Sequence, residues 1–222
     1  MPPQLAQMLA APAYALQEIR LVVVSTNPKG AVFIDENTEV ELLPEAVDQA
    51  EIARGTITYD DLGGMGETID QLVDPQRSIP EAGIPIHHIH PHMVRGMPTI
   101  GQVLPVFHRF AAGSVLVGHN VAFDMRFLKL KEAATGCVFD HPVLDTLLLS
   151  SVVHPAEESH SLEAIAARLG ITIGGRHTAL GDARATAEVF TRLIPLLARQ
   201  GVTTLGEARE ASGRSQFARL RY

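Results

Sequence analysis

The first third of the chain consists of short apolar runs separated by polar turns. Between about Ile19 and Pro75 four such runs occur, IRLVVVST, AVFID, AEIARGTITYDD and ETIDQLVDP, with Asn-Pro-Lys-Gly and Gly-Gly-Met-Gly among the connecting stretches. Apolar and β-branched runs bounded by Gly, Pro and Asn are typical of β-strands. This part of the sequence therefore predicts an antiparallel meander.

After Pro80 the apolar positions recur with a helical period. Ile100, Val103, Leu104 and Phe107 have the spacing of the buried stripe on an amphipathic helix. The run SVLVGHN is continuously apolar, as is typical of a strand covered on both faces. A helix is predicted from about Ala122, and HPVLDTLLLSSVV predicts a strand that continues into a helix.

Two further helices are predicted in the last third of the chain. The first has apolar residues at 162, 165, 166 and 169 and ends at Gly170, and the second begins near Asp182 and ends before Gly201. The apolar stripe of the second helix consists of Val189, Phe190, Leu193, Ile194 and Leu197. Strands followed by alternating helices and strands predict an α/β fold with a mixed sheet flanked by helices. We expect an N-terminal arm over residues 1–17, one domain over 18–200 and a C-terminal tail over 201–222.

The composition narrows the class of protein. A chain of 222 residues with 46% hydrophobic and 19% charged residues fits one globular domain with short appendages. The single cysteine, Cys137, cannot form an internal disulfide, which favours the cytoplasm, and no apolar run reaches the roughly 18 residues needed to span a membrane. The net charge of −7 disfavours an extended non-specific grip on nucleic acid, but it is compatible with an acidic cleft.

Three aspartates occur at predicted element boundaries: Asp124 in GHNVAFDMRFL, Asp145 in PVLDTL and Asp182 in RHTALGDARATAEVF. A helix dipole alone explains a carboxylate in a first helical turn, as at Asp124 and Asp182. His177, five positions before Asp182, adds a residue that can accept a proton from water. Carboxylates from separate segments can bind Mg²⁺ or Mn²⁺, and together with a histidine they indicate metal-assisted phosphodiester hydrolysis.

The segments HNVAFDMRFL and RHTALGDARATAEVF resemble the second and third motifs of the DEDDh 3′–5′ exonucleases, the DNA polymerase III proofreading-subunit-like family with an RNase H-like fold. LVDPQRSIPEAGIPIHHIHPHMVRG resembles the segment that leads to the family's IH-x-I stretch, and SHSLEAIAARLGI and TTLGEA are also similar to it. The resemblance covers roughly residues 70–208. It implies that the domain over 18–200 is an exonuclease-like domain.

The resemblance implies a role for each matching residue. Asp124 and Asp182 help to bind two ions, Mg²⁺ or Mn²⁺, His177 is the general base, and Asp145 supports the site without binding metal. His87 and Ile89 would lie near the terminal nucleotide, and Asn120 would shape the cleft beside Asp124. The implied reaction is an in-line attack of water on the last phosphodiester of a single-stranded DNA or RNA 3′ end. A polymerase or another protein is the implied partner.

The family's first motif, an apolar strand ending in Asp-x-Glu, has no match. If LVVVSTNPKG is the motif strand, Ser25 and Asn27 stand where the two acids belong; if VFIDENT is the motif strand, Asp35 is kept and Asn37 replaces the glutamate. The context LQEIRLVVV favours the first register. The distance of 16 positions from Asp35 to Glu51 needs no insertion and favours the second, so we expect Asp35 to be a metal ligand.

Either register leaves the two-ion site short of negative charge. Three aspartates supply −3 in the second register and two supply −2 in the first, against +4 from two divalent ions. We therefore expect an impaired exonuclease, and the alternative is a catalytically inactive nucleic-acid-binding or scaffold pseudo-exonuclease. A zinc site in HHIHPH is a further alternative, disfavoured by Pro91 and by the lack of a nearby cysteine or carboxylate.

Overall fold

The computed structural model describes residues 21–24, 56–59, 68–174, 178–215 and 217–218. The strands within these residues are β1 (Leu21–Val24), β2 (Thr56–Tyr59), β3 (Thr68–Ile69), β4 (Val115–Gly118) and β5 (Val143–Asp145). The helices are α1 (Ile84–His87), α2 (Pro91–Val94), α3 (Ile100–Phe110), α4 (Ala122–Thr135), α5 (Thr146–Val153), α6 (Leu162–Leu169), α7 (Ala179–Arg199) and α8 (Leu205–Gly213).

The five strands form one mixed sheet in the order β3-β2-β1-β4-β5. β2 is antiparallel to both β1 and β3, whereas β4 is parallel to both β1 and β5. The predicted antiparallel meander is confirmed for β1, β2 and β3. The predicted strand AVFID lies outside the described residues.

Helices cover both faces of the sheet, as the burial of β4 shows. Val115 and Val117 pack in a cluster with residues of α5, α6, α7 and α8, whereas Leu116 packs in a second cluster with residues of α3 and α4. Alternate side chains of a strand point to opposite faces. The continuously apolar sequence of β4 is therefore explained by burial on both sides, as predicted.

The helical stripes predicted from the sequence face the core. Ile100, Val103, Leu104 and Phe107 of α3 are all buried. α7 begins at Ala179, three residues before the predicted start at Asp182, because the Thr178 side chain caps the helix by accepting a hydrogen bond from the Gly181 amide at 3.1 Å. No helix in the described part of the chain is long and apolar enough to cross a membrane.

The predicted C-terminal tail contains a helix that belongs to the core. α8 begins with a capping box, in which Thr204 and Glu207 exchange hydrogen bonds with each other's backbone amides. Leu205 and Ala208 are buried in the cluster that includes α7. Residues 205–213 of the predicted tail thus form a helix that packs on the core, and its buried face consists of one leucine and small residues.

We expect truncation of Leu205 to destabilise the domain. Leu205→Ala removes a side chain that is 2% exposed and should cost about 2 to 5 kcal/mol of unfolding free energy, as for other buried leucines. Leu130→Ala is the matched control, since Leu130 is 47% exposed, and it should cost under about 1 kcal/mol. Urea unfolding measures both values. Equal effects of the two substitutions would show that α8 contributes nothing to the core.

Candidate active site

The parallel strands end together at one edge of the sheet. Val23 pairs with Val117, and Gly118 pairs with Asp145, so Val24, Gly118 and Asp145 form one row across the carboxyl ends of β1, β4 and β5. Ligands of open α/β sheets bind outside the carboxyl ends of the strands. This edge is therefore the expected position of a ligand-binding or active site.

The N-terminus of α7 lies at the same edge. Ile69, the last residue of β3, pairs with Thr56, which pairs with Val24, so Asp70 follows β3 at the carboxyl edge. Asp70 and the first turn of α7 line a common cleft of about 810 Å³. The first turn of α7, which contains the half-buried Asp182, therefore lies near the end of β3 at this edge, although Asp182 does not itself line the cleft.

Asp124 reaches this edge on a different helix. The chain leaves β4 through Asn120, whose φ of 55° is left-handed, and then enters α4. Asn tolerates this conformation better than most residues do. Asp124 is in the first turn of α4 and is only 4% exposed. Asp124 and Asp182 thus come from the first turns of two separate helices.

Asp145 holds the turn that precedes Asp124. Its carboxylate accepts hydrogen bonds from the amides of Asn120 at 2.9 Å, Val121 at 3.1 Å and Leu147 at 2.9 Å. Burial raises the pKa of Asp145 to about 6, although these amide hydrogen bonds act in the opposite direction. One buried side chain therefore links the end of β5, the start of α5 and the turn between β4 and α4.

The comparisons with known proteins identify the family. A family model described as Exonuclease matches residues 36–190, which is more than half of the chain. The chain belongs to the exonuclease family. A model of domain 2 of cell division protein 48 also matches, over residues 7–49, of which the structure describes only 21–24.

Curated relatives support this exonuclease assignment. The DNA polymerase III subunit epsilon-like protein of Rhodobacter capsulatus is 54% identical over 143 residues, which are 64% of this chain and 20% of the relative. DNA polymerase III PolC-type of Clostridium perfringens is 40% identical over 128 residues, 56% of this chain and 9% of the relative. The matched part of the exonuclease chain thus spans a fifth or less of these relatives.

Solved structures share the fold of this chain. The nuclease domain of 3′hExo, a DEDDh family member bound to rAMP, has a TM-score of 0.64 and 16% identity and covers 86% of this chain and 97% of its own. Exonuclease X in complex with 5′ overhanging duplex DNA has a TM-score of 0.58 and 20% identity. The match covers 87% of this chain and 99% of the Exonuclease X chain. The predicted RNase H-like fold is confirmed, and the family model confirms the exonuclease family.

The donor atoms of the described residues fit a divalent ion in part. Carboxylates from different elements at one sheet edge are suitable ligands for Mg²⁺ or Mn²⁺. Within the described residues, however, no group of three or more His, Cys, Asp or Glu side chains is arranged to hold a metal ion. Asp124 and Asp182 therefore remain the predicted ligands, and a complete set would need residues outside the described ranges.

Several predicted site residues lie outside the described residues. These are the general base His177 and the first-motif candidates Ser25, Asn27, Asp35 and Asn37. His87 ends α1, and its side chain is also outside what the structure describes. Their roles stay predictions.

The structure describes the other two predicted nucleic-acid contacts. Asn120 lies in the turn at the carboxyl edge of the sheet, with its amide bonded to Asp145. Ile89 is fully buried in a small cluster with Ile79 and Val94, so its place near a nucleotide stays a prediction. The rings of His90 and His92 stack 5.6 Å apart, and they belong to no metal-binding group among the described residues.

Two polar residues beside this site were not predicted from the sequence. The Thr146 hydroxyl lies 3.2 Å from the Gly118 carbonyl oxygen and 3.0 Å from Nδ1 of His119. The only sequence signal is that Thr146 follows Asp145 directly at the end of a strand. A contact between positions 119 and 146 leaves no local pattern, which explains the omission.

We expect the unfolding free energy of the domain to depend on pH through the titration of Asp145. Its pKa is about 6 in the folded protein and 3.8 when unperturbed, so the folded state binds the proton more tightly. This group's contribution to the unfolding free energy is full below about pH 4 and is lost as pH rises through 6, a change of about 3 kcal/mol. Asp145→Asn removes the titration.

Urea unfolding of both proteins at pH 4.5, 5.5 and 7 measures this effect. The stability of the unsubstituted protein relative to Asp145→Asn should decrease as pH rises. A difference that is the same at all three values would show that the carboxyl titrates alike in the folded and unfolded chains.

Proposed function

We propose that the chain is a metal-dependent 3′–5′ exonuclease that acts in the cytoplasm on the 3′ end of single-stranded DNA or RNA. The observation that carries the proposal is that Asp124 and Asp182 lie in the first turns of two separate helices, the first of which follows β4 at the carboxyl edge of the parallel strands. Membership of the exonuclease family and the identities with polymerase III epsilon-like and PolC-type relatives support it.

The residues divide the chemistry between them. Asp124 and Asp182 would bind Mg²⁺ or Mn²⁺, with their carboxylates stabilised by the helix N-termini. Divalent ions in such a site supply charge neutralisation at the phosphate and make an attacking water more acidic. His177 would accept the proton of that water. Asn120 would line the cleft beside Asp124, and the turn of residues 118–121 would keep the carboxylate of Asp124 in place.

The topology favours the first of the two registers for the missing motif. β1 pairs in parallel with β4 and ends in the row of Gly118 and Asp145, next to the turn that leads to Asp124. The residues that follow β1 in the chain include Ser25 and Asn27. The family-model match, which begins at residue 36, instead lies close to the second register with Asp35. We propose the first register because strand pairing constrains the position of the motif strand directly.

In the first register the exonuclease is weak for an electrostatic reason. Asp124 and Asp182 supply −2 against the +4 of two divalent ions, and Asn27 offers at most a neutral oxygen. Uncompensated positive charge disfavours binding of the second ion. A tenfold loss of rate corresponds to only about 1.4 kcal/mol of transition-state binding, so the deficit has a large kinetic effect.

We further propose that the domain works with a polymerase or another protein partner. Two of its relatives carry DNA polymerase III in their names, and each is several times longer than the matched region. A domain shared among longer chains is expected to act beside other modules.

The restoration of the first motif tests the proposed function. A single strand with a labelled 3′ nucleotide is incubated with Mn²⁺, and nucleotide release is measured. We expect slow release by the unsubstituted protein, none by Asp182→Asn, and at least about tenfold faster release by the double variant Ser25→Asp, Asn27→Glu. The added carboxylates make the first-register site more negative, from −2 to −4.

Asn37→Glu is the matched control, because it adds a carboxylate in the second register only. Faster release with Asn37→Glu and not with the double variant would overturn the first register, and loss of release in Asp35→Ala would agree with that result. Absence of release by all variants would contradict an exonuclease. Retained binding of the labelled strand, measured by fluorescence anisotropy, would then support the pseudo-exonuclease alternative.

A further inference from the structure

Two adjacent residues at the start of α5 hold the turn between β4 and α4. Asp145 accepts the amide hydrogens of Asn120 and Val121, and Thr146 contacts the Gly118 carbonyl and the His119 ring. These hydrogen bonds join positions 24 to 28 residues apart in the sequence. The turn is therefore fixed by a neighbouring strand and not by its own local sequence.

The two contacts of Thr146 define the hydrogen-bonding state of His119. A hydroxyl has one hydrogen to donate and lone pairs to accept. Donation by Thr146 Oγ1 to the Gly118 carbonyl, at 3.2 Å, leaves the oxygen to accept a hydrogen from His119 Nδ1, at 3.0 Å. The network thus assigns the Nδ1–H form to His119. Thr146 is fully buried, which strengthens both contacts because water does not compete for them.

The turn transmits this restraint to Asp124. Asn120 adopts a left-handed conformation with φ of 55°, which needs support from its surroundings. The Phe123 amide donates to the Asn120 carbonyl at 3.3 Å, and the Met125 amide donates to the Val121 carbonyl at 2.9 Å. Asp124 lies between these two residues. A displacement of the turn would therefore move the Asp124 carboxylate.

We propose that Thr146, through Gly118 and His119, is a positioning residue that orients the Asp124 carboxylate in the candidate active site. This inference rests on the proposed function, since Asp124 matters as a ligand of the exonuclease. Substitution of residues that orient metal ligands without binding the metal typically lowers metal affinity or activity by about 10- to 100-fold. Thr146 does not itself contact the substrate or the metal.

Thr146→Val tests the inference, because valine keeps the shape of threonine and removes the hydroxyl. We expect the affinity for Mn²⁺ to weaken about 10- to 100-fold. Electron paramagnetic resonance of the free ion measures this affinity. In the strand-release assay kcat should fall while KM for the strand stays unchanged. The ¹H–¹⁵N spectrum of His119 should lose the Nδ1–H pattern. Thr146→Ser, which keeps the hydroxyl, should restore all three values.

Thr191→Val is the matched control. The Thr191 hydroxyl donates to the Ala187 carbonyl within α7 at 2.9 Å, a contact between residues of one helix, so its removal should leave the three measurements unchanged. Urea unfolding of each variant shows whether it is folded under the assay conditions. If Thr146→Val fails to fold, Thr146→Ala and Thr146→Ser provide the same comparison.

The outcomes separate this inference from the proposed function. Unsubstituted protein that binds no Mn²⁺ and releases no nucleotide would contradict the exonuclease. Even then, faster hydrogen exchange at Asn120 and Val121 in Thr146→Val would support the role of Thr146 in holding the turn, and unchanged exchange would overturn it. In an active protein, normal kcat and Mn²⁺ affinity in Thr146→Val, or equal impairment in Thr146→Ser, would also overturn it.

Discussion

The buried carboxylate of Asp145 is the interaction on which the geometry of the candidate site depends. Its three amide donors come from the β4–α4 turn and from the first residues of α5. The pKa of this group is nonetheless raised, so the cost of removing the charge from water exceeds the gain from the hydrogen bonds. The protein accepts that cost because two amides of the left-handed turn would otherwise be unsatisfied, each at about 1 to 3 kcal/mol.

The sheet explains how residues far apart in sequence reach the same edge. α4 packs on one face through Met125 and Leu128, and α7 packs on the other through Val189 and Phe190. Asp124 and Asp182 therefore lie in the first turns of helices that cover opposite faces of the sheet. Because β4 is buried on both faces, neither helix can shift without disturbing a close-packed cluster. The rigidity of the two carboxylates is thus a property of the whole domain.

The sequence allowed the prediction of features with a strong local signal. The stripe of Ile100 and Val103 predicted α3, and the motifs around Asp124 and Asp182 predicted the family and its fold. The start of α7 was misplaced because the capping by Thr178 stands outside the apolar period. α8 was missed because small residues form most of its buried face. Thr146 and His119 were missed since only the pairing of β4 with β5 brings them together.

In the proposed exonuclease reaction, the described part of the site and the first motif contribute different physical terms. Asp145 and its surroundings provide position, which lowers the entropy cost of aligning water, phosphate and ligands. The first motif provides charge, which stabilises the transition state only when it balances the metal ions. In the proposed first register, Ser25 and Asn27 replace the two acids, so the site would keep its positioning and have a weaker electrostatic field. Such a cleft favours binding of a strand end over its hydrolysis, because positioning acts on both the ground state and the transition state whereas charge balance acts mainly on the latter.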